Sequence, residues 1–198
     1  MTTRHFRVSV NVSPLQFAQP AFYRSVVEAL ETHQLRPDML QLELTEGIVL
    51  HGVDHVTSTL DRLQRLGVRI AIDDFGTGYS SLAYLRDLPI DSVEIDRSFI
   101  KDTVKDVGTP RKGPQFALAL VQAITTLAGQ LDLEVVAEGI ETKAQCDLLT
   151  SLGCTTGQAF SFARLLSATE AQRYLRLPPT TAASHPRTSL NNWRAPRA

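Results

Sequence analysis

Asp73 and Asp74 are adjacent acids. They stand where an apolar stretch, Val68 to Ile72, gives way to the glycine-rich turn Phe75-Gly76-Thr77-Gly78-Tyr79. Neighbouring carboxylates repel each other unless a cation or a proton offsets the charge. Hard oxygen donors of this kind suit Mg²⁺, Mn²⁺ or Ca²⁺. A plainer use is equally open here: either acid can cap the helix that begins after the turn.

Other polar residues fall at comparable places. Asn11 closes one strand-like segment. Glu43 and Glu46 lie on another, Glu94 and Asp96 on a further one, and Glu138, with Glu141 just beyond, on the next. Gln158 opens a last strand expected over Gln158 to Phe162. In parallel strand–helix folds ligands bind at the carboxyl ends of the strands. Acids contributed by several different strands then converge, which helix capping alone does not explain. Single members still have a local use: Glu46, Asp96 or Glu141 can each be a surface acid or a turn former. A converged set would hold one or two divalent cations. Two such ions activate a water and clamp a phosphoryl oxygen, so phosphodiester hydrolysis is the natural reaction class.

The elements that must position these residues follow from periodicity. Strands are expected at Arg7–Val12, Gln41–Glu46, Val68–Ile72, Ser92–Asp96 and Glu134–Ala137. Helical spacing joins Phe22, Val26, Val27 and Leu30, then Val56, Leu60, Leu63 and Leu66, with Gly67 as the stop. Leu82, Leu85 and Leu88 mark a short helix, and Phe116, Leu120, Ala123, Ile124 and Leu127 a long one. Thr142 with Gln145 makes a capping box for a helix carrying Cys146, Leu149 and Leu152. Strand–helix alternation argues for an α/β fold with a parallel sheet. Asp106–Pro114 reads as an exposed loop. Residues 179–198 carry Arg187, Arg194 and Arg197 without an acid and read as a disordered basic tail after a domain spanning 1–178.

Composition narrows the classes. The 198 residues are 43% hydrophobic, enough for one domain with a sizeable core, and the net charge of -1 does not favour duplex nucleic acid as a partner. No apolar run is long enough for a membrane span. The two cysteines, Cys146 and Cys154, have no paired metal spacing, and a reducing cytoplasm is the expected setting. His51 and His55 share i, i+4 spacing without the glutamate of a zinc-protease helix and read as ordinary polar positions.

Six segments together carry a family resemblance. They are Asn11-Val12-Ser13, Glu43-Leu44-Thr45-Glu46, Asp73 through Leu82, Ile95-Asp96-Arg97-Ser98-Phe99, Ala137-Glu138-Gly139-Ile140-Glu141-Thr142 and Gly157-Gln158. In this order, over Val8 to Leu166, the chain resembles the EAL domain, the bacterial cyclic-di-GMP phosphodiesterase. The resemblance implies a modified TIM barrel and metal-dependent opening of cyclic-di-GMP to pGpG, with Mg²⁺ or Mn²⁺ as cofactor. It implies that Asn11, Glu43 and Asp73 are ligands of a first metal. Asp74 would serve a second, with Asp73 shared and Asp96 nearby. Glu138 would position or deprotonate the attacking water, and Gln158 would lie near that water. Glu141 is a further acid of the site. Glu46 would anchor the loop containing Gly76, Thr77 and Gly78, which supports metal binding. A homodimer through that loop and the following helix is implied, as is an upstream sensory or GGDEF domain in a longer gene product.

The chain also departs from the family pattern. The signature Glu-Ala-Leu belongs on a strand before Asn11, and only ten residues precede Asn11. The triplet Glu28-Ala29-Leu30 follows Asn11 inside a helical pattern and reads as a chance match. About six of the eight barrel strands are expected, an incomplete TIM-like barrel with open edges and exposed apolar surface. Such a chain is either part of a longer product or is closed by a partner. Glu94 stands where the family places a lysine that serves water and phosphate. At 4 Å and an effective dielectric near 20 each unit pair is worth roughly 4 kcal/mol, so the sign reversal approaches about twice that before screening. Ala159, Ala163 and Leu165 also depart from the family's last-strand pattern. The expectation is an EAL module with weak or absent hydrolysis. The alternatives are a non-catalytic module that binds cyclic-di-GMP or a protein, or an inactive remnant.

Overall fold

The computed structural model describes residues 6–50, 53–77, 85, 87–102, 114–154, 156–158 and 166–176. The expected loop at Asp106–Pro114 (apart from Pro114), the tail at 179–198, Gly78 and most of the Leu82–Leu88 helix lie outside them. So do His51 and the segment with Ala159, Ala163 and Leu165.

Described strands are β1 (Val8–Val12), β2 (Leu40–Thr45), β3 (Arg69–Phe75), β4 (Ser92–Ile95), β5 (Glu134–Glu138) and β6 (Thr156–Gln158). In the first unit β1, β2, β3 and β4 follow one another as sheet neighbours, and in the second β5 neighbours β6. Pairing is parallel for β1 with β2, β2 with β3, and β5 with β6. Helices are α1 (Pro14–Phe17), α2 (Phe22–Thr32), α3 (Glu46–Leu50), α4 (Val53–Leu66), α5 (Arg97–Asp102), α6 (Pro114–Gln130), α7 (Lys143–Ser151) and α8 (Ala168–Arg176). Contacts divide the chain into two compact units. One holds residues 1–94 and 130–134, the other residues 95–129 and 135–198.

In the first unit, register sets the chemistry. Ser9 pairs with Gln41 and Gln41 with Arg69; Asn11 pairs with Glu43 and Glu43 with Ala71; Thr45 pairs with Asp73. Side chains alternate across a strand, so these odd-numbered residues share one face. The other face carries Leu42, Leu44, Ile70 and Ile72, all buried with Leu60 and Leu63 of α4. Two layers of polarity thus arise from a period of two. β1 stands at one end of the strand order, and its Val8 and Val10 are 49% and 42% exposed. A capping box at Ser13 with Gln16 and the proline at Pro14 start α1. α2 buries Val26 and Leu30 and leaves Glu28 and Ala29 exposed, so the Glu28-Ala29-Leu30 triplet is an ordinary amphipathic turn.

An ion-pair cluster joins strand starts of the same unit. Arg7 lies 3.4 Å from Glu134, and Arg69 lies 3.6 Å from Asp91 and 3.9 Å from Glu134. Asp91 Oδ2 accepts from the Ile70 N–H at 2.8 Å, and the Asp91 N–H donates to the Ile70 carbonyl at 2.9 Å.

In the second unit, Thr142 caps α7 and Gln145 returns the bond, the capping box expected from sequence. Gln145 is buried, and its Nε2 also donates to the Ile100 carbonyl at 3.2 Å, tying α7 to α5. Gly139 has φ 66 and its N–H donates to the Gln158 carbonyl at 2.9 Å. A Cβ there would stand 2.5 Å from the Arg97 Cβ, so both conformation and space require glycine.

Several boundaries differ from the sequence reading. β3 does not stop at Ile72 but runs through Asp73 and Asp74 to Phe75, because pairing of Thr45 with Asp73 extends the ladder. Glu46 is not on β2; it opens α3, where an acid suits the positive helix end. Asp96 lies beyond β4. The last strand is already formed at Thr156, two residues before Gln158, and the rest of the expected stretch, 159–162, lies outside the described residues.

Candidate active site

β3 presents Asp73 half-buried and Asp74 exposed. Asp74 has φ 55 and Gly76 φ 92, so the backbone turns twice through the left-handed region. Aspartate tolerates this better than most residues, yet it costs about 1–3 kcal/mol and tends to occur at functional sites. Thr77 locks the turn: its N–H and Oγ1 donate to the Asp74 carbonyl at 3.2 and 2.8 Å. The Asp74 N–H donates to Asp73 Oδ1 at 2.7 Å, fixing the Asp73 carboxylate.

β4 delivers the decisive acid. Glu94 is 2% exposed, and a carboxylate oxygen lies within 4.8 Å of one from Asp73. It does not turn away into solvent. Two like charges at that range cost about 3 kcal/mol at an effective dielectric near 20, a cost that a cation or a proton removes. β2 adds Glu43, 7% exposed, on the face shared with Asp73, and Asn11 is its register neighbour on β1. Glu46, also buried, heads α3 directly after β2.

Gln41 was not singled out by sequence reasoning. It is 4% exposed, and its Nε2 donates to Glu94 Oε1 at 3.4 Å and to Ser9 Oγ at 3.1 Å. Its Oε1 accepts from Arg7 Nη1 at 3.0 Å. The available signal was the alternation that sets Gln41 on the same face as Glu43, two residues away.

In the second unit, Glu138 closes β5 and pairs in register with Gln158, the last described residue of β6. Asp96 behaves as a local former: its Oδ1 accepts from the Ser98 N–H at 2.9 Å and from the Ser98 hydroxyl, at the start of α5. Glu141 is exposed and ion-paired with Lys101 at 2.9 Å.

Buried and half-buried oxygen donors on one sheet face of the first unit (Glu43, Asp73 and Glu94) suit a hard divalent cation rather than a soft one. When bound, such an ion would polarise a phosphoryl oxygen and lower the pKa of a water. Asp73, Glu43 and Glu94 have the donor chemistry to hold it.

A parallel strand–helix fold with acids near the strand ends defines a protein of the TIM-like α/β class. The EAL domain model matches residues 1–164, and the chain belongs to the EAL domain family. It is 43% identical over 163 residues to the bifunctional diguanylate cyclase/cyclic di-GMP phosphodiesterase MucR of Pseudomonas aeruginosa, covering 82% of this chain and 23% of that protein. It is 40% identical over 185 residues to the cyclic di-GMP phosphodiesterase NbdA of the same organism, covering 93% and 22%. The chain thus spans about a quarter of the length of these curated relatives. Among solved structures, the MucR phosphodiesterase in complex with c-di-GMP superposes with TM-score 0.76 at 42% identity, covering 83% of this chain and 64% of that one. Klebsiella pneumoniae BlrP1, solved with manganese and cyclic-di-GMP, gives TM-score 0.71 at 29% identity, covering 81% and 39%.

Proposed function

We propose that this chain is a cyclic-di-GMP-recognising EAL module whose phosphodiesterase activity is weak or absent. Family membership and the relatives' bound nucleotide support the ligand. The observation that carries the reduced activity is Glu94, a buried carboxylate beside Asp73 where the family pattern calls for a lysine. In this reading Asn11, Glu43, Asp73 and Asp74 serve Mg²⁺ or Mn²⁺. Glu138 and Gln158 handle the water, and Glu46 with Gly76, Thr77 and Gly78 holds the loop. The negative charge of Glu94 opposes the phosphodiester and gives no cation to the leaving oxygen, so binding outlasts turnover.

Calorimetry of the full chain with cyclic-di-GMP and Mn²⁺, alongside chromatographic assay of pGpG, tests this. Binding with little pGpG is expected. Turnover comparable to that of MucR under the same conditions would overturn the reduced activity, and no nucleotide binding would overturn the ligand. A cytoplasmic location, a dimer through the loop after Asp74 and an upstream GGDEF domain remain part of the proposal.

A further inference from the structure

We propose that Glu94 is itself a ligand of the divalent cation in this chain, and that Gln41 is the positioning residue that fixes the oxygen Glu94 offers. The inference rests on the functional reading above and adds to it a residue-level change in the metal site.

The Gln41 amide has only one workable orientation. Arg7 is a donor without acceptor capacity, so the atom it meets at 3.0 Å must be the carbonyl oxygen of Gln41. The amide NH₂ then faces Ser9 Oγ and Glu94 Oε1. An ionised carboxylate accepts and cannot donate, which matches this direction. Arg7 is held in turn by Glu134 at 3.4 Å. Gln41 therefore carries the order of an ion-pair cluster at the strand starts to a carboxylate further along the shared face. Glu94 Oε1 is tied to Gln41. The Asp73 carboxylate is fixed separately by the Asp74 N–H.

Both acids are thus set before any ion arrives. Metal–oxygen bonds of about 2.0–2.6 Å let two donors on one ion stand up to about 4–5 Å apart, and the Asp73 and Glu94 oxygens fall within 4.8 Å. A lysine at this position would repel the ion; a glutamate, buried and oriented, adds a donor. Binding gains a ligand while turnover loses a cation.

Mn²⁺ titration of the full chain, followed by the electron paramagnetic resonance signal of free Mn²⁺, separates this from a structural role. Glu94→Gln keeps the volume and removes the charge, and is expected to weaken Mn²⁺ binding at least about tenfold. Glu94→Asp keeps the charge but withdraws the oxygen, and is expected to weaken it about fivefold; a merely long-range charge effect would leave this variant unchanged. Gln41→Met removes the tether and is expected to cost about threefold, with circular dichroism unaltered. Wild-type affinity in Glu94→Gln or in Glu94→Asp would overturn the inference and leave the cyclic-di-GMP reading standing. Loss of nucleotide binding with Glu94-dependent Mn²⁺ binding intact would do the reverse.

Discussion

Gln41 donates to Glu94 Oε1 at 3.4 Å while its own carbonyl oxygen accepts from Arg7 at 3.0 Å. A buried amide thus links the charged cluster at the strand starts to the acid beside Asp73. The family resemblance marks position 94 as one of the chain's departures. The Gln41 contact shows that the departure is built into the sheet face.

Glu94→Lys reverses a buried charge beside Asp73, a change of several kcal/mol before screening, on the order of 3 kcal/mol for each unit pair at that separation. We expect pGpG formation at saturating Mn²⁺ to rise at least about tenfold, and the Mn²⁺ concentration needed to rise with it. A steady-state assay over a Mn²⁺ series checks both. An unchanged rate would show that Glu94 is not what limits turnover.

Asp91 bonds the Ile70 N–H at 2.8 Å and faces Arg69 at 3.6 Å. Asp91→Ala orphans a part-buried amide and should cost about 1–3 kcal/mol. Asp91→Asn keeps an acceptor and loses only a part-exposed ion pair, worth about 0–1 kcal/mol. Urea denaturation of the two variants should rank them in that order.

Gly139→Ala places a Cβ 2.5 Å from the Arg97 Cβ at a residue with φ 66. A destabilisation of about 1–3 kcal/mol is expected from the backbone conformation alone, with the clash in addition. Equilibrium unfolding within a few tenths of wild type would contradict the local geometry.

Gln145→Ala removes the return half of the capping box and the bond to the Ile100 carbonyl. The loss should be about 1–3 kcal/mol, since a capping bond and a buried hydrogen bond between α7 and α5 are both removed. Gln145→Glu keeps the acceptor for the Thr142 N–H but cannot donate to Ile100, so it should also destabilise. Thermal unfolding monitored by circular dichroism distinguishes the pair from wild type.

Burial pushes the Cys146 thiol up, and the Asp147 charge adds to this while Lys143 opposes it. The folded state therefore holds the proton more tightly than the unfolded chain. The resulting stability is fully present below the unfolded thiol's pKa and is lost as pH rises through the folded value. Iodoacetamide should label Cys146 more slowly in native protein at pH 8.5 than in urea. Replacing Cys146 with serine should flatten the alkaline side of the stability profile, read by denaturation at a series of pH values.

The sequence by itself determined the α/β class, the strand–helix order and the polar positions near the strand ends, because periods of two and 3.6 and cap chemistry are local. The Thr142–Gln145 box was legible for that reason. So was the family, because Asp73 through Thr77 and the other segments carry side-chain types in a fixed order. Strand ends were less legible: the apolar pattern stops at Ile72, and only the pairing of Thr45 with Asp73 carries the ladder on into the acids. Tertiary structure alone decided what Glu94 does. A single acid within Ser92-Val93-Glu94-Ile95 can face either way, and only packing buried it within reach of Asp73. Gln41 became meaningful only there too, since its partners Arg7 and Glu94 lie 34 and 53 residues away in the chain.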